Sequence, residues 1–336
     1  MSQVDITRDG APGFVHAALI VDSDRSLRER LLPALDRSLS AGEAVVMAVG
    51  AHTERVVRAA LGGRAGAVEW SAPGAFYQRL GLTFSAFRDH LAHRHAAGRR
   101  VHVVAEPDIV ASADPEAPID RVAAYLPYEA LCNQAYAVFD CAVTCLWDSR
   151  RHPALVIEGV RDLHPFEMTA VGVRANLGFT ATADYLAGRN LIALEPPPAS
   201  VDLDLEVGSL GELAGVRAAL RGWAGGRGFA VEAIDDVVTA ADGIVTNAVE
   251  HGRPPVRVRG WQAADTLVVQ VDDTGAVPLP AFGGYRPPSP GQRRGRGLWI
   301  ARQLADAVTT HTTDSHTHVR LHFPHEITHR GPITNG

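Results

Sequence analysis

An asparagine interrupts the apolar stretch GIVTNAVEHG at residues 243–252. Asparagine lowers helix propensity, and its amide must find hydrogen-bond partners if it is buried. Asn247 is therefore either an accident of sequence near a helix end or part of a site. The His251-Gly252 pair that follows also fits an ordinary helix C-terminal cap, so the stretch by itself leaves both interpretations open.

Two further stretches place residues suited to chemistry at the ends of predicted elements. The sequence VDDTG at 271–275 puts Asp273 where an apolar strand ends, and GRGLW at 295–299 puts two glycines before a helix. Each alone also fits a plain turn or a flexible loop. The order and spacing of all three stretches together favour one shared site.

In the first half of the chain, polar residues interrupt apolar elements at five places, namely His16, Glu106, Glu129, Asn133 and Asp148. Carboxylates at the carboxyl ends of parallel strands meet at the edge where such sheets bind ligands. Glu129 and Asn133 lie four residues apart on one helix face. The pattern predicts a polar ligand pocket, and the alternative is that each residue is separately hydrogen-bonded or exposed.

A metabolic enzyme with Glu106, Glu129 and Asp148 as acid and base is a weaker hypothesis, because no nucleophile or metal set accompanies them.

The elements that would carry these residues differ between the two halves of the chain. Before residue 194, apolar runs typical of strands buried on both faces alternate with segments of 3.6-residue periodicity. This alternation predicts an α/β fold with a mostly parallel sheet. After residue 203, adjacent strands with short turns and three helical segments predict an antiparallel α+β sandwich.

Three consecutive prolines in LEPPPASVDL, residues 194–203, mark a stiff linker. We place a first domain at 1–195, the linker at 196–200 and a second domain at 201–330. The division gives each domain enough chain for its own core.

The composition excludes several classes of protein. The chain has 336 residues, 46% hydrophobic and 21% charged, with a net charge of -6. No apolar run approaches the roughly 18–20 residues that span a bilayer, and the sequence MSQVDITRDG does not resemble a signal peptide. A net negative charge gives no broad attraction to nucleic acid or to anionic membranes. We expect a cytoplasmic protein that contacts neither directly.

The absence of lysine and the positions of the cysteines limit which kinds of nucleotide and metal site this chain can have. All 32 basic residues are arginine, which excludes the phosphate-binding lysine of a P-loop NTPase and the strand lysine of a eukaryotic-type protein kinase. Cys132, Cys141 and Cys145 lie in apolar sequence and indicate reduced core thiols, with a metal site of C-x8-C-x3-C spacing as the less favoured alternative. A protein of this composition that handles a nucleoside triphosphate must use another design.

The stretches TNAVEHG, VDDTG and GRGLW, in this order and on these elements, resemble the Bergerat-fold or GHKL ATPases over about residues 205–324. The forms VTNAVEHG and GRGLW follow the pattern of the anti-sigma regulatory serine kinases. The resemblance implies that Asn247 coordinates Mg²⁺ through its amide oxygen, a ligand type that this hard cation prefers. It also implies that Asp273 accepts a hydrogen bond from the adenine amino group of ATP, with Gly275 leaving room for the ring.

The same resemblance implies that the glycines before the last helix help to bind the phosphates of ATP. Gly295 and Gly297 would let the backbone come close to the phosphates and direct its N–H groups at them, with Arg296 as a charge partner.

Two positions depart from the family's pattern. The general-base glutamate four residues before the asparagine is Gly243 here. The neighbouring Asp242 points about 100° away around an ideal helix. Val277 stands where the first glycine box has its second glycine. Nucleotide binding is therefore better supported than phosphoryl transfer, whose base would be Asp242, His251 or the substrate's own environment.

The first half, with SLSAGEAVVMAV and RVHVVAEPDI, resembles the MEDS sensory domain over about residues 14–185. MEDS is a KaiC/RecA-like α/β module that is often fused to anti-sigma-type ATPases. The resemblance implies a sensor for a small molecule of unknown identity. Because the P-loop of RecA-like ATPases is missing, it implies a module that does not hydrolyse ATP.

The two resemblances together imply a cytoplasmic signalling regulator that binds Mg-ATP. It would act as an anti-sigma factor or serine/threonine kinase in a partner-switching pathway gated by the sensory domain. Its partners would be a sigma factor or a STAS-type anti-anti-sigma protein, and a homodimer is left open. The alternative is a non-catalytic, ATP-gated protein-binding module in which Gly243 marks a lost activity.

Overall fold

A computed structural model of the chain describes residues 3–4, 13–71, 79–107, 121–275, 279–289, 291 and 295–325. These residues form two α/β units, one with a mostly parallel sheet and one with an antiparallel sheet, as the patterns of the two halves predict. Val277 lies outside the described residues. No helix among those described is both long and apolar enough to cross a membrane.

The first unit is built on an eight-stranded sheet. Its strands are β1 (Gln3–Val4), β2 (Phe14–Val21), β3 (Ala44–Ala48), β4 (Val68–Ser71), β5 (Val101–Ala105), β6 (Cys141–Asp148), β7 (Phe166–Thr169) and β8 (Gly172–Ala175). Their order across the sheet is β1-β8-β7-β2-β6-β5-β3-β4. Strands β2 to β7 pair in parallel, whereas β8 pairs antiparallel with β7 and β1. All eight residues of β6 are buried, as expected for a central strand covered on both faces.

Within the described residues, six helices cover this sheet: α1 (Asp24–Ser40), α2 (Ala51–Leu61), α3 (Leu80–Ala96), α4 (Arg121–Ala135), α5 (Ala154–Leu163) and α6 (Thr182–Arg189). Helices α1 and α2 pack on one face and α3 to α6 on the other, so that each face has its own apolar core. Helix α1 begins at a capping box formed by Ser23 and Ser26. The sequence patterns do not identify β7 and β8, because four residues leave too few positions for a period of two to show.

In the part of the chain that the structure describes, the second unit is an antiparallel sheet with three helices on one face. Its strands are β9 (Leu203–Val207), β10 (Val256–Ala263), β11 (Thr266–Asp273), β12 (Ala307–Thr312) and β13 (Thr317–Pro324), in the order β12-β13-β11-β10-β9. Its helices are α7 (Leu213–Gly225), α8 (Val231–His251) and α9 (Gly297–Leu304). Alternate residues of β11, such as Val269 and Val271, point into the core beneath α8.

Helix α9 is shorter than its sequence predicts. The periodicity of GLWIARQLADAV predicts a helix over 297–308, but α9 ends at Leu304 and Ala305 is extended. The prediction of its end is wrong because the next residues join the sheet: the Asp306 N–H donates to the His322 carbonyl at 3.0 Å, and β12 begins at Ala307. Sheet pairing overrides helix propensity here.

The two units meet where α3 packs against α9. Gly81 of α3 approaches the backbone of α9 so closely that a β-carbon built on it would lie 2.1 Å from the Arg302 carbonyl oxygen. Nearby, the Ser85 hydroxyl donates to Gln303 Oε1 at 3.3 Å. The absence of a side chain at Gly81 therefore sets how closely the first unit approaches α9.

Polar bonds add to this contact. The Arg79 guanidinium pairs with Asp236 of α8 at 2.7 Å, with both side chains mostly buried. After α6, Asn190 accepts hydrogen bonds from the Thr310 hydroxyl at 2.6 Å and from the Thr312 N–H at 2.7 Å. The first unit is thus attached to both α8 and β12 of the second.

Candidate functional site

Asn247 lies one turn before the end of α8. The helix buries its neighbours Ile244, Val245 and Ala248 against the sheet, which leaves Asn247 half-buried at the edge of the apolar face. No residue within the described ranges forms a hydrogen bond with its side-chain amide. Asn247 therefore does not act as a cap of its own helix, and its amide can bind a ligand.

Asp273 ends β11 in a crowded, partly desolvated position. Its side chain is buried, and the Gly275 N–H donates to its Oδ1 at 2.7 Å. Burial raises the pKa of the carboxyl, against the lowering effect of backbone hydrogen bonds from Gly275 and Arg253. A β-carbon built on Gly252 would lie 2.6 Å from the Asp273 carboxyl carbon. Glycine is required there so that the end of α8 can approach Asp273.

The start of α9 lies against α8 at the level of Asn247. A β-carbon built on Gly297 would lie 2.3 Å from the Gly243 carbonyl oxygen and 2.8 Å from Asn247 Nδ2. Gly295 has φ +74°, a left-handed conformation that favours glycine. Arg296 is the N-cap residue of α9 and is exposed. The Gly-Arg-Gly sequence thus brings α9 close to the asparagine.

These residues surround one cavity of about 340 Å³. Its walls include Asn247 and His251 from α8, Asp273 and Val271 from β11, Gly295, and Leu298 from α9. The volume lies within the range of small-molecule sites. The structure therefore brings together the three stretches that the sequence singles out, with Gly275, Arg296 and Gly297 beside them.

The two candidates for a general base differ in position. His251 is exposed and lines the cavity, with its Nε2 3.9 Å from Glu250 Oε2. Asp242 does not line it, and its carboxylate pairs instead with Arg217 of α7 at 2.9 Å. Of the two, only His251 faces the cavity.

In the first unit, Glu106 and Asp148 line an open cavity of about 460 Å³ at the carboxyl ends of β5 and β6. Glu106 accepts hydrogen bonds from the Gly50 N–H at 2.8 Å and from Arg151 at 3.2 Å. Burial raises the pKa of Asp148, but hydrogen bonds from the side chain and backbone of Arg150 outweigh it, so that the net shift is downward. Both carboxylates are thus paired with arginines at the edge where the sequence predicts a pocket.

The other three predicted residues belong to a separate, buried group. His16 Nδ1 lies 2.9 Å from Asn133 Oδ1, and His16 Nε2 lies 3.3 Å from Cys145 Sγ. Glu129 Oε1 lies 3.1 Å from His164 Nε2. Burial, together with the neighbouring His164, lowers the pKa of His16 to about 3. The five predicted residues therefore form two groups in different parts of the unit.

Sequence reasoning misses His164 and does not connect Cys145 with His16. The register of β2 and β6 pairs His16 with Val143, so Cys145 lies two residues further on the same face of the sheet. The proximity of Cys145 to His16 depends on how β2 and β6 pair, which the sequence does not reveal. His164 follows α5 and has no local signal. All three cysteines are buried and free, as predicted.

An apolar cavity of about 60 Å³ lies between this buried group and α3. Leu80, Phe84 and Phe87 of α3 form one wall, and Glu129 and Cys145 form its polar part. Because one water molecule needs roughly 10–15 Å³ of such space, the cavity suits only a ligand of a few heavy atoms.

Comparison with known families agrees with both sequence resemblances. Residues 15–165 match the MEDS family, the MEthanogen/methylotroph, DcmR Sensory domain. Residues 208–323 match the histidine kinase-like ATPase domain. The chain therefore carries an N-terminal MEDS domain and a C-terminal histidine kinase-like ATPase domain. The cavity with Asn247 and Asp273 lies in the second, and the buried group with His16 lies in the first.

Two solved structures are weakly similar. The RsbU and RsbW domains of Rv1364c from Mycobacterium tuberculosis share 24% identity over 36% of this chain, with a TM-score of 0.29, and the match spans 32% of that chain. The SiaB-SiaC complex from Pseudomonas aeruginosa shares 14% identity over 36% of this chain and 90% of that chain, with a TM-score of 0.28. No curated protein matches the sequence.

Proposed function

We propose that this protein is a signalling regulator that binds Mg-ATP in the cavity of its second unit, to which we assign the Bergerat fold. It would use the nucleotide as an anti-sigma-factor or serine/threonine-kinase-type component of a partner-switching pathway. The observation that carries the proposal is that Asn247, Asp273 and Gly295 line one cavity inside the matched ATPase domain. We further propose that it acts in the cytoplasm.

The residues at this cavity suit Mg-ATP. The Asn247 amide offers an oxygen ligand to Mg²⁺, which takes only one or two ligands from a protein in such sites. The Asp273 carboxylate is a buried acceptor for the adenine amino group. Arg296 and the N–H groups that begin α9 would face the phosphates. The bound nucleotide would supply a phosphoryl group for transfer to a hydroxyl.

Two versions of this function differ in chemistry. In the kinase version, His251 is our choice of base for a serine or threonine hydroxyl, because it faces the cavity and Asp242 does not. One observation favours the alternative, a non-catalytic, ATP-gated binding module. Gly243 lies against Gly297, so no carboxylate occupies the position one turn before Asn247.

We propose that the first unit, a RecA/KaiC-like domain at 1–195 joined by the linker at 196–200, gates the nucleotide cavity through α3. Leu80 and Phe84 of this helix line the apolar cavity, while Gly81 packs on α9. Helix α9 in turn begins at Gly297, beside Asn247. A ligand that displaces α3 would therefore change the position of α9, a shift of one packed helix against another.

Phosphate transfer distinguishes the two versions. The full-length protein is incubated with γ-labelled Mg-ATP and with STAS-type proteins and sigma factors from its source. We expect a labelled serine or threonine on a partner, with labelling lost in Asn247→Ala and His251→Ala. It should persist in Thr246→Ala, a neighbour on α8 outside the cavity lining. Nucleotide-dependent partner binding without label would favour the binding module, and the absence of both would contradict the proposal.

A further inference from the structure

Four side chains from separate parts of the first unit converge at one buried point. They are His16 of β2, Glu129 of α4, Cys145 of β6 and His164 after α5. One ligand atom from each lies within 4.8 Å of the other three, and none of the residues is more than 2% exposed. Two imidazoles, a thiol and a carboxylate are the groups by which proteins bind transition metal ions.

The second nitrogen of each imidazole is held by an oxygen that can only accept a hydrogen bond. His16 Nδ1 lies 2.9 Å from Asn133 Oδ1, whose orientation is fixed because Asn133 Nδ2 donates to the Leu163 carbonyl at 2.8 Å. His164 Nδ1 lies 2.7 Å from the Val160 carbonyl. Both Nδ1 atoms therefore carry the hydrogen, which leaves a lone pair on each Nε2 for the cluster. Metal-binding histidines are oriented by second hydrogen bonds of this kind.

Hydrogen bonds within the described residues leave two of the four ligand atoms, Glu129 Oε1 and His164 Nε2, unsatisfied. With neutral imidazoles, both Nε2 atoms and Glu129 Oε1 are acceptors, and the Cys145 thiol has one proton to offer. Glu129 Oε1 and His164 Nε2 are 3.1 Å apart, yet within the described ranges neither has a correctly oriented hydrogen-bond partner. The Tyr125 hydroxyl donates to the other carboxylate oxygen, Oε2. Buried acceptors without donors are destabilising, and one cation between them would satisfy all four.

Three of the six separations between the ligand atoms are close to those of a tetrahedral site, and all six lie within 4.8 Å. The three are 3.1 Å from His164 Nε2 to Glu129 Oε1, 3.3 Å from His16 Nε2 to Cys145 Sγ, and 3.8 Å from His16 Nε2 to Glu129 Oε1. Metal–ligand bonds of about 2.0–2.3 Å give a tetrahedron with edges of about 3.3–3.8 Å. The side chains therefore need only small shifts to bind an ion.

We propose that His16, Glu129, Cys145 and His164 bind one Zn²⁺ ion in the sensory domain. Mixed nitrogen, sulfur and oxygen ligands at tetrahedral spacing suit zinc, whereas Mg²⁺ and Ca²⁺ take oxygen ligands. The ion fastens α4 and the end of α5 to the two central strands. Because Glu129 and Cys145 also line the apolar cavity, the metal site forms the polar end of that cavity.

Metal content of the purified full-length protein tests the proposal. We expect one zinc per chain by elemental analysis in the wild type, and loss of most of it in Cys145→Ser and His164→Gln. The matched control is Cys132→Ser, which changes another buried cysteine of the same cavity and should keep its zinc. Equal loss in Cys132→Ser and Cys145→Ser, with both variants folded, would overturn the assignment.

Cobalt provides a second test that does not depend on the variants folding. The wild type is stripped of metal with a chelator and titrated with Co²⁺. We expect saturation at one equivalent, with absorption bands of tetrahedral Co²⁺ and a thiolate-to-cobalt charge-transfer band. A wild type that contains no metal as purified and binds neither Co²⁺ nor Zn²⁺ would overturn the proposal, and the cluster would then be a hydrogen-bonded network that shares protons.

Discussion

Gly297 lies in backbone contact with Gly243, so that a β-carbon built on Gly243 would be 2.9 Å from the Gly297 α-carbon. Two glycines allow α8 and α9 to approach at the level of Asn247. A glutamate at position 243, the position that the resemblance to the anti-sigma kinases assigns to the base, has no room unless α9 moves. The same contact that positions α9 beside the cavity thus leaves no room for a side chain at position 243.

The first prediction follows from this contact. Gly243→Ala should lower the free energy of unfolding by about 1–3 kcal/mol, as overpacking does, and weaken Mg-ATP binding because α9 is displaced. Gly215→Ala on α7 is the matched control, since its β-carbon meets no atom within 4 Å, and it should stabilise the helix by up to about 1 kcal/mol. Urea unfolding of both variants measures the difference. Equal stability of Gly243→Ala and wild type would show that α9 does not pack as described.

The second prediction concerns the contact between α3 and α9. Gly81→Ala introduces a methyl group 2.1 Å from the Arg302 carbonyl oxygen, so the two helices must separate. We expect the Kd for Mg-ATP to rise several-fold, although Gly81 does not line the nucleotide cavity. Gly188→Ala on α6, where a β-carbon meets nothing within 4 Å, should leave the Kd unchanged. An unchanged Kd in Gly81→Ala would argue against gating through α3.

The third prediction is a loss of stability in acid. Burial, with smaller effects from Arg100 and Arg37, lowers the pKa of His102 to about 4 from its ordinary 6.5. Its ring nitrogens are hydrogen-bonded to Ser38 at 3.0 Å and Thr144 at 2.9 Å. The unfolded chain therefore binds a proton between pH 6.5 and pH 4 that the folded chain does not. Stability should fall across this window as the pH is lowered, by roughly 3 kcal/mol from this residue.

Unfolding of His102→Gln as a function of pH checks this prediction. The variant should lose part of the decline between pH 6.5 and pH 4, while His93→Gln, at an exposed position of α3, should retain all of it. Burial also lowers the pKa of His322, to about 3, so some decline should remain in the variant. A decline identical in His102→Gln and wild type would contradict the assignment.

Sequence patterns locate the elements around the cavity with Asn247 and Asp273 well because each element has a strong local signal. The apolar run TLVVQVDD coincides with β11, and the periodicity of EAIDDVVTAADGIVTNAVEHG is that of α8 within a residue at each end. The sequence identifies Asn247 because it interrupts an apolar run, and Asp273 because it stands where such a run ends. The order and spacing of the stretches favour one shared site, and in the structure Asn247 and Asp273 line the same cavity.

Contacts between distant parts of the chain are what the sequence does not reveal. The packing of Gly81 on Arg302 joins residues more than 200 positions apart, and a glycine in a helix gives no indication of its partner. The buried group of the first unit joins β2, α4, β6 and the end of α5. The cysteine spacing leaves Cys132, Cys141 and Cys145 as a less favoured alternative metal set, and of these three only Cys145 lies in the group.

Calorimetric titration of Mg-ATP into the full-length protein tests the central claim, that Asn247 and Asp273 form a nucleotide site. We predict saturable binding at one site in the wild type and in Thr246→Ala, and this binding should be sensitive to EDTA. Asn247→Ala should abolish it because the Mg²⁺ ligand is lost. Asp273→Ala should abolish it because the acceptor for the adenine amino group is lost. Circular dichroism establishes that the variants are folded. No binding in the wild type, or equal affinity in the wild type and both site variants, would contradict the claim.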